Sequence, residues 1–201
     1  MQIWSFDMIE SEKKKLLERN NEYLSIGITE GGVAYSITGV PWERTSHAFN
    51  MKIPDVYISP EDLHDEEMLK TLHGYKLIGC YIYAPLDNYD FLSTFKDIRD
   101  LHIENAEKLR SLGFLYEMRD CDMFFLHGAT LDNLDVITEV KKARRGIFGD
   151  FRCLGLDECE IGDIESLAEV SFSELIVWGK DKSEAERYKK IPASTFRYYE
   201  T

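Results

Sequence analysis

Three polar side chains occupy equivalent positions in three separate stretches of the chain. Each directly follows a triplet in which apolar residues flank a central one: Glu104 follows LHI, His127 follows FFL and Asp157 follows LGL. Two carboxylates beside an imidazole can bind a metal ion or support acid–base catalysis if the fold brings them together. His102, the central residue of the first triplet, would lie beside them. A metal-dependent or hydrolytic enzyme is therefore one candidate function.

No recognised catalytic motif accompanies these residues. The sequence contains no H-E-x-x-H, P-loop, G-x-G-x-x-G or nucleophile elbow. Its four cysteines include no C-x-x-C pair, and they are Cys80, Cys121, Cys153 and Cys159. A thiol at an inward-facing position acts as a small hydrophobe, so disulfide or zinc use is the less favoured interpretation. We expect no cofactor, and no residue is singled out as catalytic.

Two longer stretches share one hydrophobic frame that contains two of these triplets. Residues 151–167 carry its apolar positions at Phe151, Leu154, Leu156, Ile161, Ile164 and Leu167, with a cysteine at Cys159. Residues 121–137 repeat the frame with Ala129 in the place of that cysteine, at Cys121, Phe124, Leu126, Leu131, Leu134 and Ile137. The spacing is that of the L-x-x-L-x-L-x-x-N/C-x-L pattern. The chain resembles the leucine-rich-repeat family over about residues 53–180.

Shorter matches extend this frame along the chain. The last apolar residue of each triplet marks successive units at Ile58, Ile82, Ile103, Leu126, Leu156 and Val177. All but one of the steps between these markers lie in the family's range of about 20–29 residues. The resemblance implies an α/β fold: a right-handed solenoid with a curved parallel sheet and helices on its convex side. An ordinary α/β domain with alternating strands and helices is the alternative.

The sequence departs from the family at the ninth position of the frame, where an Asn or Cys side chain usually forms a ladder with backbone. In successive units this position holds Glu61, Pro85, Ala106, Ala129 and Cys159. Only the last matches, so a regular asparagine ladder is not expected.

The longest step between units is explained by an insertion at residues 138–150, predicted to be an extended helix that ends near Gly146. It contains the one basic cluster of the chain, which consists of Lys141, Lys142, Arg144 and Arg145. A charged cluster on a helix is usually solvated surface. We favour that interpretation over a docking patch.

The two ends of the chain lie outside the resemblance. Residues 7–20 are predicted to form a short charged helix. Residues 23–38 are predicted to form a β-hairpin, because two β-rich runs flank a Gly31-Gly32 turn. We therefore predict a single domain in three parts. These are an N-terminal helix and hairpin cap at 1–52, the repeat region at 53–180, and a C-terminal helical and aromatic cap at 181–201.

Side chains between and after the apolar positions of each triplet are predicted to face the concave surface, since side chains alternate along a strand. The first predicted row is Tyr57, Tyr81, His102, Phe125, Gly155 and Ile176. The second is Ser59, Tyr83, Glu104, His127, Asp157 and Trp178. From these rows we select the predicted binding residues, which are Tyr57, Tyr81, Tyr83, His102, Glu104, Phe125, His127, Asp157 and Trp178.

The aromatic content of these rows favours a binding surface. Rigid aromatic side chains supply contact area at low entropic cost and are common at binding hot spots. Leucine-rich-repeat proteins generally hold a protein or peptide on this face, so the resemblance implies a non-enzymatic protein- or peptide-binding module. The alternative is that the aromatic rings pack on one another or beneath the terminal caps.

The net charge of −13 limits the classes of partner. Nucleic-acid binding requires clusters of Lys and Arg, and anionic membranes attract basic rather than acidic surfaces, so neither partner is expected. An acidic chain can also act as an inhibitor or immunity-type partner of a basic protein, and this remains an alternative function. The N-terminal residues lack the apolar core of a signal peptide, and a cytoplasmic location is therefore expected.

Overall fold

The computed structural model describes residues 23–29, 44–46, 51–53, 55–74, 76–144, 150–180 and 182–200. The chain forms two compact units, Met1–Ala84 and Pro85–Thr201. The boundary between them falls inside the predicted repeat region at residues 53–180. The predicted helix at residues 7–20 lies outside the described residues.

The first unit is built around parallel strands. Its elements are β1 (Tyr23–Ile28), β2 (Arg44–Ser46), β3 (Met51–Ile53), β4 (Asp55–Ile58), a 3₁₀ turn (Glu61–His64), α1 (Glu66–Leu72) and β5 (Lys76–Ile82). Strand β1 lies between β4 and β5 and runs parallel to both. Ile26 and Ile28 of β1 alternate with the smaller Ser25 and Gly27, and both isoleucines and Ile82 of β5 are fully buried.

The position of β1 corrects the predicted hairpin at residues 23–38. Both edges of β1 pair with parallel neighbours, because Ser25–Ile28 is in register with β4 on one side and with β5 on the other. No edge is left along this segment for an antiparallel partner. The second arm of the predicted hairpin lies outside the described residues. The predicted hairpin is therefore wrong for its first arm, since β1 pairs with β4 and β5, which lie further along the chain.

The second unit repeats one pattern of strand, turn and return segment. Its strands are β6 (Ile98–Ile103), β7 (Cys121–His127), β8 (Thr130–Asn133), β9 (Asp150–Asp157), β10 (Glu160–Asp163), β11 (Phe172–Gly179) and β12 (Ala193–Glu200). Its helices are α2 (Asp135–Ala143) and α3 (Lys182–Tyr188), with 3₁₀ turns at Asp90–Thr94, Gly113–Tyr116 and Glu165–Glu169. Strands β6, β7, β9, β11 and β12 form a parallel sheet in that order, and β8 pairs with β10 in a second, smaller sheet.

The core of this unit consists of rows of apolar side chains in register. Leu101, Phe124, Leu154 and Leu175 face one another across four neighbouring strands and are fully buried. Ile103, Leu126, Leu156 and Val177 form the next buried row. These are the predicted inward positions, so the mixed α/β fold class with a mostly parallel sheet is confirmed.

In three of the units, a small and buried residue occupies the ninth position of the frame. Ala106 and Ala129 are completely buried there. The Cys159 thiol is also buried, and its Sγ donates to the Leu126 carbonyl of the preceding unit at 3.4 Å. The residues directly before Ala129 and Cys159 adopt the left-handed backbone conformation: Gly128 has φ 72° and Glu158 has φ 49°. One cysteine thus forms the side-chain-to-backbone bond of a ladder, and the alanines only fill the space.

All four cysteines are buried free thiols, in agreement with the prediction that those at inward-facing or ladder positions act as hydrophobes. Burial raises the pKa of the Cys80 thiol to about 12 and that of the Cys159 thiol to about 11. Such groups stay protonated near neutral pH and react slowly with thiol reagents.

The basic cluster is not simply the solvated surface that we predicted, because one of its lysines is buried. Helix α2 ends at Ala143, and both Arg145 and Gly146 lie outside the described residues. The Lys141 side chain is only 4% exposed, and its Nζ donates to the Phe151 carbonyl at 3.0 Å. Arg144 donates through Nη2 to the Leu115 carbonyl at 2.9 Å. Two of the cations thus hold backbone carbonyls of the protein itself, while Lys142 pairs with Glu169 at the surface.

The C-terminal segment differs in part from the predicted cap. The helix expected from SEAERY is confirmed as α3. The aromatic segment that follows Pro192 instead extends the sheet as β12, parallel to β11 from Phe172 to Gly179. It forms the edge strand of the described sheet.

Candidate binding face

The side chains that alternate with the core rows form the second face of the Pro85–Thr201 sheet, which we call the outward face. Its first row is His102, Phe125, Gly155, Ile176 and Arg197, in register across five strands. Its second row continues His127, Asp157, Trp178 and Tyr199 in register, with Glu104 directly after β6. The predicted order of both rows is therefore found within this unit.

In Met1–Ala84 the predicted rows are interrupted. Tyr57 and Tyr81 both pair with Gly27 of β1 and so are separated by that strand, whereas we had predicted them to be neighbours. The structure does not describe the Tyr57 side chain. Tyr81 is only 6% exposed and stacks with Tyr83 at 6.4 Å, so most of its side chain is buried. Tyr83 is exposed.

Four rings of the outward face form a continuous series across the sheet. His102 stacks on Phe125 with centroids 4.5 Å apart and planes 14° apart. Phe125 contacts Trp178 at 6.3 Å, and Trp178 stacks on Tyr199 at 5.4 Å and 23°. Tyr199 is 44% exposed, and the other three rings are half-buried. We call these four residues the aromatic ladder.

Gly155 explains how Phe125 reaches Trp178. These residues lie on β7 and β11, which are separated by β9, and neighbouring strands are about 4.8 Å apart. A Cβ atom on Gly155 would lie 1.9 Å from the Phe125 ring, so the ring lies directly over this glycine. The glycine therefore opens the space through which the ladder crosses β9. In the predicted first row, Gly155 is a position without a side chain, and the sequence alone does not indicate that a ring lies over it.

Beside the ladder lies a polar group made of Glu104, His127 and Asp157. His127 Nδ1 and Asp157 Oδ2 are 2.8 Å apart, and both side chains are half-exposed. Burial raises the pKa of the Glu104 carboxyl; positive charge on His127 opposes that rise, and the negative charge of Asp157 adds to it. The structure thus brings together the three residues that the sequence placed in one row.

The geometry of this group is not that of a metal centre. Within the described ranges, no three or more His, Cys, Asp or Glu residues are placed to hold a metal ion. His127 and Asp157 are in direct polar contact, and Glu104 is a neighbouring carboxyl group. The metal-dependent alternative therefore finds no support in their arrangement.

Arg197 and Tyr199 are the residues of the face that the sequence prediction missed. Both lie on β12, where Arg197 Nε pairs with Glu174 Oε1 at 3.0 Å and Tyr199 extends the ladder. The alternating segment FRYY was a usable signal for a strand, but we interpreted it as a cap.

Comparisons of the chain with protein-family models, with curated proteins and with solved structures find no match. None of the described helices has the length and apolar character needed to cross a membrane. Function is therefore inferred from the residues of the outward face.

Proposed function

We propose that this protein is a non-enzymatic protein- or peptide-binding module and that its binding surface is the outward face of Pro85–Thr201. The observation that carries the proposal is the aromatic ladder, four rings in successive contact across five strands, of which Tyr199 is exposed. Contiguous apolar surface of this kind usually marks an interaction site.

The repeating architecture supports this proposal. In Pro85–Thr201, each strand of the parallel sheet neighbours the next strand of that sheet along the chain, and the return segments are turns, short helices and the short strands β8 and β10. We infer a leucine-rich-repeat-like solenoid, in which stacked units present one row of side chains per strand position. A sheet of this kind offers a ligand a rigid surface, so little conformational entropy is lost on binding.

A second candidate function is an acidic inhibitor of a basic protein. It is favoured by the net charge of −13 and by the carboxylates of Glu104 and Asp157 on the face. Salt distinguishes the candidates, because binding through charge weakens steeply with ionic strength whereas binding through aromatic contact does not.

Selection from a displayed random peptide library tests the proposed function. Peptides enriched on the wild-type chain should lose at least about tenfold in affinity for Trp178→Leu and Tyr199→Ser variants, as hot-spot contacts do. The matched control is Tyr116→Ser, since Tyr116 is also an exposed tyrosine (51%) but lies in a 3₁₀ turn away from the sheet.

Circular dichroism and thermal melting establish first that the three variants are folded. Equal binding of the selected peptides to all of them would show that the outward face is not the site. Failure to enrich any peptide would contradict a peptide-binding function.

A further inference from the structure

We propose that the partner inserts an arginine side chain against the second row of the outward face. The guanidinium would be held by the carboxylates of Glu104 and Asp157 beside the Trp178 ring. This inference rests on the proposed function and names the chemistry of its partner: a basic, arginine-containing segment of a protein.

The charge of the face supports a cationic occupant. Asp100, Glu104, Asp157 and Glu174 all lie on the outward side of the sheet by their register. Arg197 is paired with Glu174. In the described part of the chain, no lysine or arginine forms an ion pair with Glu104 or Asp157. The two carboxylates therefore leave local negative charge next to the ladder.

The polar group of Glu104, His127 and Asp157 also favours a cationic ligand. Asp157 uses Oδ2 for His127, and its Oδ1 is buried without a hydrogen-bond partner among the described residues. Burial is the main cause that opposes ionisation of Glu104; the negative charge of Asp157 adds to it, and a positive charge on His127 opposes it. A cation placed beside both groups lowers this unfavourable energy, whereas an anion or an apolar group increases it.

The neighbouring rings favour arginine over lysine. Trp178 is in register with Asp157 on the adjacent strand, and Tyr199 is stacked on Trp178. A guanidinium is planar, packs against aromatic rings and donates several N–H bonds to carboxylates at the same time. The ammonium group of lysine is compact and strongly hydrated, so it packs less favourably against an aromatic ring. The combination of rings and carboxylates therefore matches arginine.

The first test is an NMR titration of the isotope-labelled full chain with N-acetyl-arginine amide. Its uncharged analogue, N-acetyl-citrulline amide, has nearly the same shape and serves as the ligand control. The indole N–H resonance of Trp178, assigned by its loss in Trp178→Phe, reports on the site. We expect a saturable shift with the arginine compound and at most about one fifth of that shift with citrulline.

Variants connect this shift to the carboxylates. Glu104→Gln and Asp157→Asn should each weaken arginine binding at least about threefold. The control Asp132→Asn removes the same charge from β8, outside the main sheet, and should leave binding unchanged. Equal shifts with citrulline and arginine, or unchanged binding in both site variants, would overturn the inference.

The library selection separates this inference from the proposed function. Selected peptides that bind the outward face but keep their affinity when every arginine is replaced by citrulline would refute the arginine subsite and leave the binding function intact. Peptides that lose affinity on this replacement and also in Asp157→Asn support both.

Discussion

Glu104 is a carboxyl group whose surroundings oppose its ionisation. Burial raises its pKa, and the Asp157 charge adds to the increase. A carboxyl group with a raised pKa in the folded state contributes no penalty below its ordinary pKa. As pH rises from that value through the folded pKa, the unfolded chain ionises more readily, so the native state loses stability. Glu104 therefore destabilises the native state at neutral pH.

Replacement of Glu104 should increase the stability of the protein while it weakens the binding of arginine. We expect Glu104→Gln to raise the melting temperature by about 1–3 °C at neutral pH and to have little effect near pH 4, where the wild-type carboxyl is protonated. Differential scanning calorimetry at both pH values measures this. Glu160→Gln is the control, since Glu160 is exposed on β10. An equal rise at both pH values would exclude ionisation as the cause.

At the scale of elements, α2 and β9 are joined by a buried lysine. Phe151 takes the left-handed conformation (φ 47°) where β9 shifts its register against β7. Lys141 of α2 donates to the Phe151 carbonyl, and its ammonium lies 4.7 Å from the Phe172 ring centre. This bond satisfies a carbonyl that faces the helix rather than a neighbouring strand. The irregular start of β9 is therefore held by the helix that precedes it.

Lys141→Met should lower the free energy of unfolding by about 1–3 kcal/mol, because it keeps the apolar stem but leaves a buried carbonyl unpaired. Urea denaturation measures the change. The control Lys142→Met removes an exposed partner of Glu169 and should cost less than about 1 kcal/mol. Equal effects of the two substitutions would show that the Phe151 contact does not stabilise the start of β9.

For the whole molecule, excess negative charge opposes the compact state. The chain has 37 acidic residues against 24 lysines and arginines. Ion pairs such as Lys96–Glu117 and Arg119–Asp97 are exposed, so they contribute little to stability and are weakened by salt. Repulsion among the uncompensated acids is screened as well. The uncompensated charge should determine the net response to salt.

We expect the melting temperature to rise by about 2–5 °C between about 20 and about 300 mM sodium chloride. Thermal melting followed by circular dichroism measures the rise. Choline chloride at the same ionic strength is the control and should act equally, because the effect is one of screening. A constant or falling melting temperature would show that the surface ion pairs outweigh the general repulsion.

The sequence by itself determined strands β6, β7, β9 and β11 and the order of their outward side chains. Alternation has a period of two, so a triplet such as Leu154-Gly155-Leu156 fixes which side chains are buried as soon as its strand forms. Recurrence of the triplets, with an insertion in the longest step, then places Glu104, His127 and Asp157 in one row. These features follow from local pattern and regular repetition.

Only the tertiary structure decided the remaining features, because they depend on contacts between residues far apart in the chain. Strand β1 lies between β4 and β5, which its flanking glycines did not indicate. The FRYY segment became a strand because β11 offered it a free edge. Lys141 is buried because the irregular start of β9 presents a carbonyl to α2. Hydrogen-bonding groups must be satisfied by whichever partners the fold brings near, and sequence spacing carries no record of those partners.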